Sequence, residues 1–183
     1  MAKTITNPFT PVVGKVPPHI AGREEIIADV EAALAGTGND PAIISLLVGP
    51  RGAGKTALLS YFADTAESSG WVAARVTCVA GMLDDVLIRA QRAARHLVDT
   101  RPSRKIKGAG IANVVSFELE DSPIEPANWR SKMDGILDAL VEQGTGLLVT
   151  IDEVNPSIEE MTTLVAAFQH FLDEGKRVAL IMA

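Results

Sequence analysis

Residues 49–56 read GPRGAGKT, and residues 152–153 read DE directly after the apolar run LLVTI. The first stretch fits the spacing G-x-x-x-x-G-K-[ST]. Gly49, Gly52 and Gly54 let main-chain N–H groups turn toward one point, which suits the oxygens of a polyphosphate. A helix starting near Gly54 would aim the positive end of its dipole at the same point. Lys55 adds a point charge able to reach terminal phosphates. Thr56 adds a hydroxyl able to ligate Mg2+. Pro50, Arg51, Ala53 and Ala57 complete the stretch that would wrap the phosphates. The competing reading is a strand–turn–helix connection with no ligand. A lysine in the first turn, set against the helix dipole, speaks against that reading.

A magnesium–nucleotide site also needs a carboxylate at the end of a buried strand. Asp152 is placed to hold Mg2+ through water, and Glu153 to orient and deprotonate a water attacking the γ-phosphate. Alone, an Asp-Glu pair at a strand end is an ordinary surface feature, and only the glycine loop gives it chemical meaning. The second carboxylate favours hydrolysis over the transfer performed by a simple nucleotide kinase.

These residues work only if strands and helices hold them together. AIISLLV, 42–48, is a short continuous apolar run, the pattern of a strand buried on both faces. A helix follows from Gly54 to about Ser69, with Leu58, Leu59, Phe62 and Ala66 turned inward. WVAARVT (71–77), GLLVTIDE (146–153) and RVALIMA (177–183) are the other strands. Helical spacing of apolar residues marks 23–35, 82–98, 127–144 and 157–175. Residues 1–19, with Pro8, Pro11, Pro17 and Pro18, read as an extended arm. Residues 101–121 read as an irregular or hairpin insertion in which Val115, Phe117 and Leu119 alternate. Strands alternating with helices predict an α/β domain, a parallel sheet with helices on both faces.

Composition sets further bounds. The chain has 183 residues, 47% of them hydrophobic but only 4% aromatic, so an aliphatic core is expected. A net charge of −6 speaks against a protein that coats nucleic acid. The lone Cys78 reads as a buried, inert thiol, and a reducing, cytoplasmic setting is expected. No apolar run approaches membrane-spanning length. Arg89, Arg92, Arg95, Arg101, Arg104, Lys105 and Lys107 form a basic stretch that could meet DNA phosphates. Without interleaved aromatics, a solvated helix face and loop is the simpler account. His19, His96 and His170 lack metal-ligand spacing. Asn155, before Pro156, reads as a turn residue. Trp71, Trp129, Met161 and Phe168 read as packing residues.

The chain resembles P-loop ATPases of the AAA+/STAND group, most closely the actinobacterial-type ATP-binding proteins related to archaeal and origin-recognition initiator ATPases. GPRGAGKT resembles Walker A and LLVTIDEV resembles Walker B. NPFTPVVGKVPPHIAGREEII, 7–27, resembles the arm and "GRE" box that precede the first strand of that family. The resemblance implies a three-layer domain with sheet order 5-1-4-3-2, preceded by an arm over residues 1–21. It implies ATP and Mg2+ as cofactors, and Ile20, Gly22 and Arg23 at the base end of the nucleotide. A helix start with charged first-turn residues is the plainer account of GREE.

RVALIMA reaches Ala183 before the polar strand tip the family uses as a sensor. The expectation is a truncated domain, 22–183, lacking the fifth strand, the lid and a C-terminal domain, so that strand 43–48 becomes an exposed edge. Whether this stretch hydrolyses ATP or only binds it stays open. Three functions follow from the resemblance: an ATPase that drives a conformational change, a nucleotide-gated switch with little turnover, and a DNA-associated initiator or transposition helper. ATP or ADP is the expected partner, with a homo-oligomer allowed.

Overall fold

The computed structural model describes residue 20 and residues 22–36, 40–100 and 126–183, with the backbone alone described at 96–100 and 126–127. The arm over 1–19 and the insertion over 101–121, with Arg101, Arg104, Lys105 and Lys107, lie outside the described residues. So do His19 and the side chain of His96.

Four strands form one parallel sheet: β1 (Ile44–Leu46), β2 (Val72–Thr77), β3 (Leu147–Asp152) and β4 (Val178–Met182). Their spatial order is β1-β4-β3-β2, and every pairing is parallel. Five helices cover it: α1 (Glu24–Ala35), α2 (Lys55–Ser68), α3 (Met82–Thr100), α4 (Pro126–Glu142) and α5 (Glu159–Asp173).

Successive strand residues point to opposite faces, and the two cores divide accordingly. Leu147, Val149 and Ile151 join Trp129, Met133, Phe168 and Phe171 under α3, α4 and α5. Leu148, Ala179 and Ile181 join Leu58, Leu59 and Phe62 under α1 and α2. The protein is therefore the three-layer α/β domain its alternating pattern predicts. Burying a side chain such as Phe62, which is fully inaccessible, contributes about 1.5–3 kcal/mol. The packing residues fall where the pattern puts them: Trp71, Trp129, Met161 and Phe168 are all buried. Each tryptophan also finds an acceptor for its N–H. Trp71 donates to the Leu34 carbonyl at 3.1 Å and Trp129 to the Leu83 carbonyl at 2.7 Å.

The first strand needs correcting. The apolar run 42–48 is not one doubly buried strand. Residues 41–43 form a 3-10 turn, capped by the Asp40 carboxylate on the Ala42 amide at 2.8 Å, and only Ile44–Leu46 pair with β4. Leu46 is 55% exposed and Val48 83%. The cause is position: β1 is an edge strand with a partner on one side only among the described residues. Continuous apolar runs signal two-sided burial only where a neighbour and two helical layers close over the strand.

The basic stretch is partly committed within the protein. Arg89 pairs with Asp85 one helical turn earlier at 2.8 Å. Arg92 is exposed.

Candidate functional site

In a parallel α/β sheet, ligands are taken at the carboxyl ends of the strands. Two of those ends carry the glycine loop and the Asp-Glu pair. The loop 49–54 leaves β1 and enters α2. Gly52 and Gly54 hold φ of +81° and +80°, a region that side-chain-bearing residues enter only with strain. No neighbouring atom lies within 4 Å of where a Cβ would stand at either. The glycines are thus required by backbone conformation, not by crowding. Gly54 caps α2 in the left-handed conformation, and the first-turn amides of that helix have no intrahelical partner. They face the loop as free donors for an anion.

Lys55 is half-buried, and its ammonium donates to the carbonyls of Gly49 (3.1 Å) and Pro50 (3.3 Å). The charge is thereby held over the mouth of its own loop. Thr56 Oγ1 donates to Asp152 Oδ2 at 2.8 Å. Asp152 ends β3, in register with Thr77 at the end of β2. Its other oxygen, Oδ1, accepts from the Glu153 amide at 3.0 Å. Glu153 is exposed and has φ of +58°. Asn155 forms the turn its position before Pro156 implies, its Oδ1 accepting from the Ser157 amide at 3.0 Å.

The three residues assigned to the base end make different contacts. Arg23 Nη2 donates to the Ala53 carbonyl at 3.2 Å, joining the segment before α1 to the phosphate loop. Gly22 is exposed at φ +73°, and its amide donates to Glu24 Oε1 at 3.0 Å. Hydrogen bonds from its own amide, and then from Gly22, hold the Glu24 carboxyl below the ordinary range. Ile20 is half-buried and packs on the core beneath α1 and α2. A cavity of about 430 Å3 opens beside Arg23, between α1, β1 and the loop, lined in part by Arg23, Ile26, Asp29, Ala53 and Lys55; Ile20 and Gly22 are not among its lining residues. Sequence reasoning did not single out Asp29. Its one available signal was its place in the first half of α1, close behind Arg23.

Residues 19–182 match the family model described as AAA ATPase domain. The chain belongs to the AAA ATPase domain family. It is accordingly an AAA-type P-loop ATPase domain. No curated protein and no solved structure matches the chain.

For Mg2+, the donor set is of the right kind. A hydroxyl and a carboxylate, both hard oxygens, meet within hydrogen-bond distance beside a loop that presents amides. Mg2+ is held by one or two such groups together with substrate phosphates and water, rather than by an all-protein cage. Among the described residues, no group of three or more His, Cys, Asp or Glu is placed to hold a metal by itself. No helix among them is long and apolar enough to cross a membrane.

Proposed function

We propose that this AAA ATPase domain binds Mg-ATP between the glycine loop and the end of β3, hydrolyses it, and couples the nucleotide state to a conformational change. One observation carries the reading: Thr56 and Asp152, distant in sequence, touch at 2.8 Å at the mouth of the loop. In this reading the amides of 52–56 and the Lys55 ammonium bind the β- and γ-phosphates. Thr56 and Asp152 hold the cation, which when bound neutralises charge developing on the phosphoryl oxygens. Glu153 accepts the proton of the attacking water as that water forms its bond to phosphorus, and ADP leaves with the electrons of the broken P–O bond. Arg23, through Ala53, steadies the loop toward the base end, with Gly22 and Ile20 beside it.

The assignment extends to organisation. Residues 1–21 serve as an arm ahead of the ATPase domain 22–183. Within the AAA group, the stretch 7–27 favours the initiator-related branch.

Two substitutions test the reading. Lys55→Ala is expected to weaken ATP binding by about 100-fold. Glu153→Gln is expected to keep ATP affinity and lower turnover by about 100-fold or more. Unchanged affinity for labelled ATP in Lys55→Ala overturns the assignment of the loop. Tight binding with no turnover in the unaltered chain would favour a nucleotide-gated switch.

A further inference from the structure

The backbone of Glu153 is held by residues of the β2–α3 connection, a segment no part of the proposed chemistry uses. Among the described residues, Glu153 is the one non-glycine with positive φ. A glutamate keeps such a conformation only when its surroundings impose it.

Cys78 braces it on both flanks, alongside the Val154 amide, which donates to the Ala183 carbonyl at 2.7 Å. The Cys78 amide donates to the Asp152 carbonyl at 2.9 Å, one residue before Glu153. Its Sγ accepts from the Asn155 amide at 3.4 Å, two residues after Glu153. The thiol also lies 3.9 Å from the Asn155 carbonyl oxygen, at the limit of donation from sulfur. Cys78 is 6% exposed, so water does not compete for these bonds. A second anchor lies further along the chain. Glu160, in the first turn of α5, accepts from the amides of Gly81 (2.8 Å) and Leu83 (3.0 Å) through its two oxygens. The chain from Asp152 to Glu160 is thereby joined at several points to residues 78–83.

We infer that Cys78, backed by Glu160, is a positioning residue for Glu153, fixing the backbone from which that carboxylate reaches the attacking water. The inference rests on the hydrolytic reading above. Neither side chain has a hydrogen bond to the phosphate loop, and substitution leaves the Cys78 amide on Asp152 in place, so Mg-ATP affinity is expected to survive replacement of either side chain. Removing the sulfur takes the acceptor from the Asn155 amide and loosens the backbone after Glu153, and misplacing a catalytic group by about 1 Å can cost 100-fold in rate.

The test is steady-state ATP hydrolysis by the full chain, with Mg-ATP affinity measured separately by titration with a fluorescent nucleotide. Cys78→Ala is expected to lower kcat about tenfold with the Kd within about twofold of the unaltered chain. Cys78→Ser restores kcat to within about threefold, because its hydroxyl again accepts the Asn155 amide. Glu160→Ala, which alters a half-buried side chain, lowers kcat about threefold at constant Kd. Should Cys78→Ala fail to fold, Glu160→Ala decides on the same criteria. A kcat indifferent to Cys78 and Glu160 overturns this inference alone. So does a fall in kcat matched by an equal fall in affinity. An unaltered chain that binds Mg-ATP but never turns it over defeats the hydrolytic reading, and this inference with it.

Discussion

Thr56 Oγ1 and Asp152 Oδ2 stand 2.8 Å apart, joining the first turn of α2 to the end of β3. The hydroxyl donates and the carboxylate accepts, so this bond latches the start of α2 to the sheet. In the proposed reading these two side chains hold the Mg2+ of Mg-ATP, Asp152 through water. Asp152→Asn keeps an oxygen that can accept the Thr56 hydroxyl but removes the charge. It is expected to fold normally and to lose most of the affinity for ATP that Mg2+ adds, a drop of about tenfold or more. Titrations in Mg2+ and in EDTA check this: the two curves should separate for the unaltered chain and nearly coincide for the variant.

Arg23 reaches the same loop from the other side, through the Ala53 carbonyl at 3.2 Å. The bond is part-buried and charge-assisted, which makes it worth about 1.5–3 kcal/mol at most. Arg23→Ala is expected to weaken nucleotide binding about three- to tenfold by loosening the loop. A competition assay with unlabelled ATP measures it, and affinity equal to that of the unaltered chain would show that the bond does not steady the site.

Two glycines separate crowding from backbone strain. At Gly146, φ is not positive, but an added Cβ would lie 2.6 Å from the Arg177 carbonyl oxygen and 2.7 Å from the Trp71 ring. Gly146→Ala should cost about 1–3 kcal/mol of stability and lower the Tm by about 3–10 °C. At Gly54 there is space but φ is +80°. Gly54→Ala should cost about 1–2 kcal/mol and, by turning the loop amides, also impair ATP binding. Thermal unfolding with and without ATP distinguishes the two, since only the second variant should lose stabilisation by the nucleotide.

Asp134 on α4 gives a pH dependence. Burial, and then the nearby Glu174, raise its carboxyl above the usual carboxylate range, with Lys176 and Arg130 opposing. Its Oδ1 is buried without a hydrogen-bond partner. A carboxyl whose folded pKa is raised contributes stability that is present below the unfolded pKa and lost as pH rises through the folded one. Near neutral pH the charge is therefore a liability. Asp134→Asn is expected to raise the Tm at pH 7 by about 1–2 °C, the gain shrinking toward pH 4. A gain that persists at pH 4 would point to packing rather than charge.

Much of this was legible in the residues. Among the described residues, the alternation of apolar runs and helical stripes identified the four strands and five helices, because each buries a face whose period is set by its own backbone geometry. Gly70 and Gly175, just beyond the ends of α2 and α5, hold positive φ. The exception was the reading of 42–48 as a doubly buried strand: its composition is that of a central strand, whereas the exposed edge implied by the family sheet order is what the sheet shows among the described residues. Asp29 was missed because one carboxylate on a helix says nothing until the cavity beside it is seen.

From residue types and spacing alone came the glycine loop, the lysine and threonine that close it, and the acids that end an apolar strand, because local backbone chemistry demands those types in that order. Tertiary structure alone decided that Thr56 meets Asp152, that Arg23 reaches Ala53, and that Cys78 holds the turn bearing Glu153. Those contacts join residues far apart in the chain. Only the packing of helices onto a twisted parallel sheet brings them within a few ångströms.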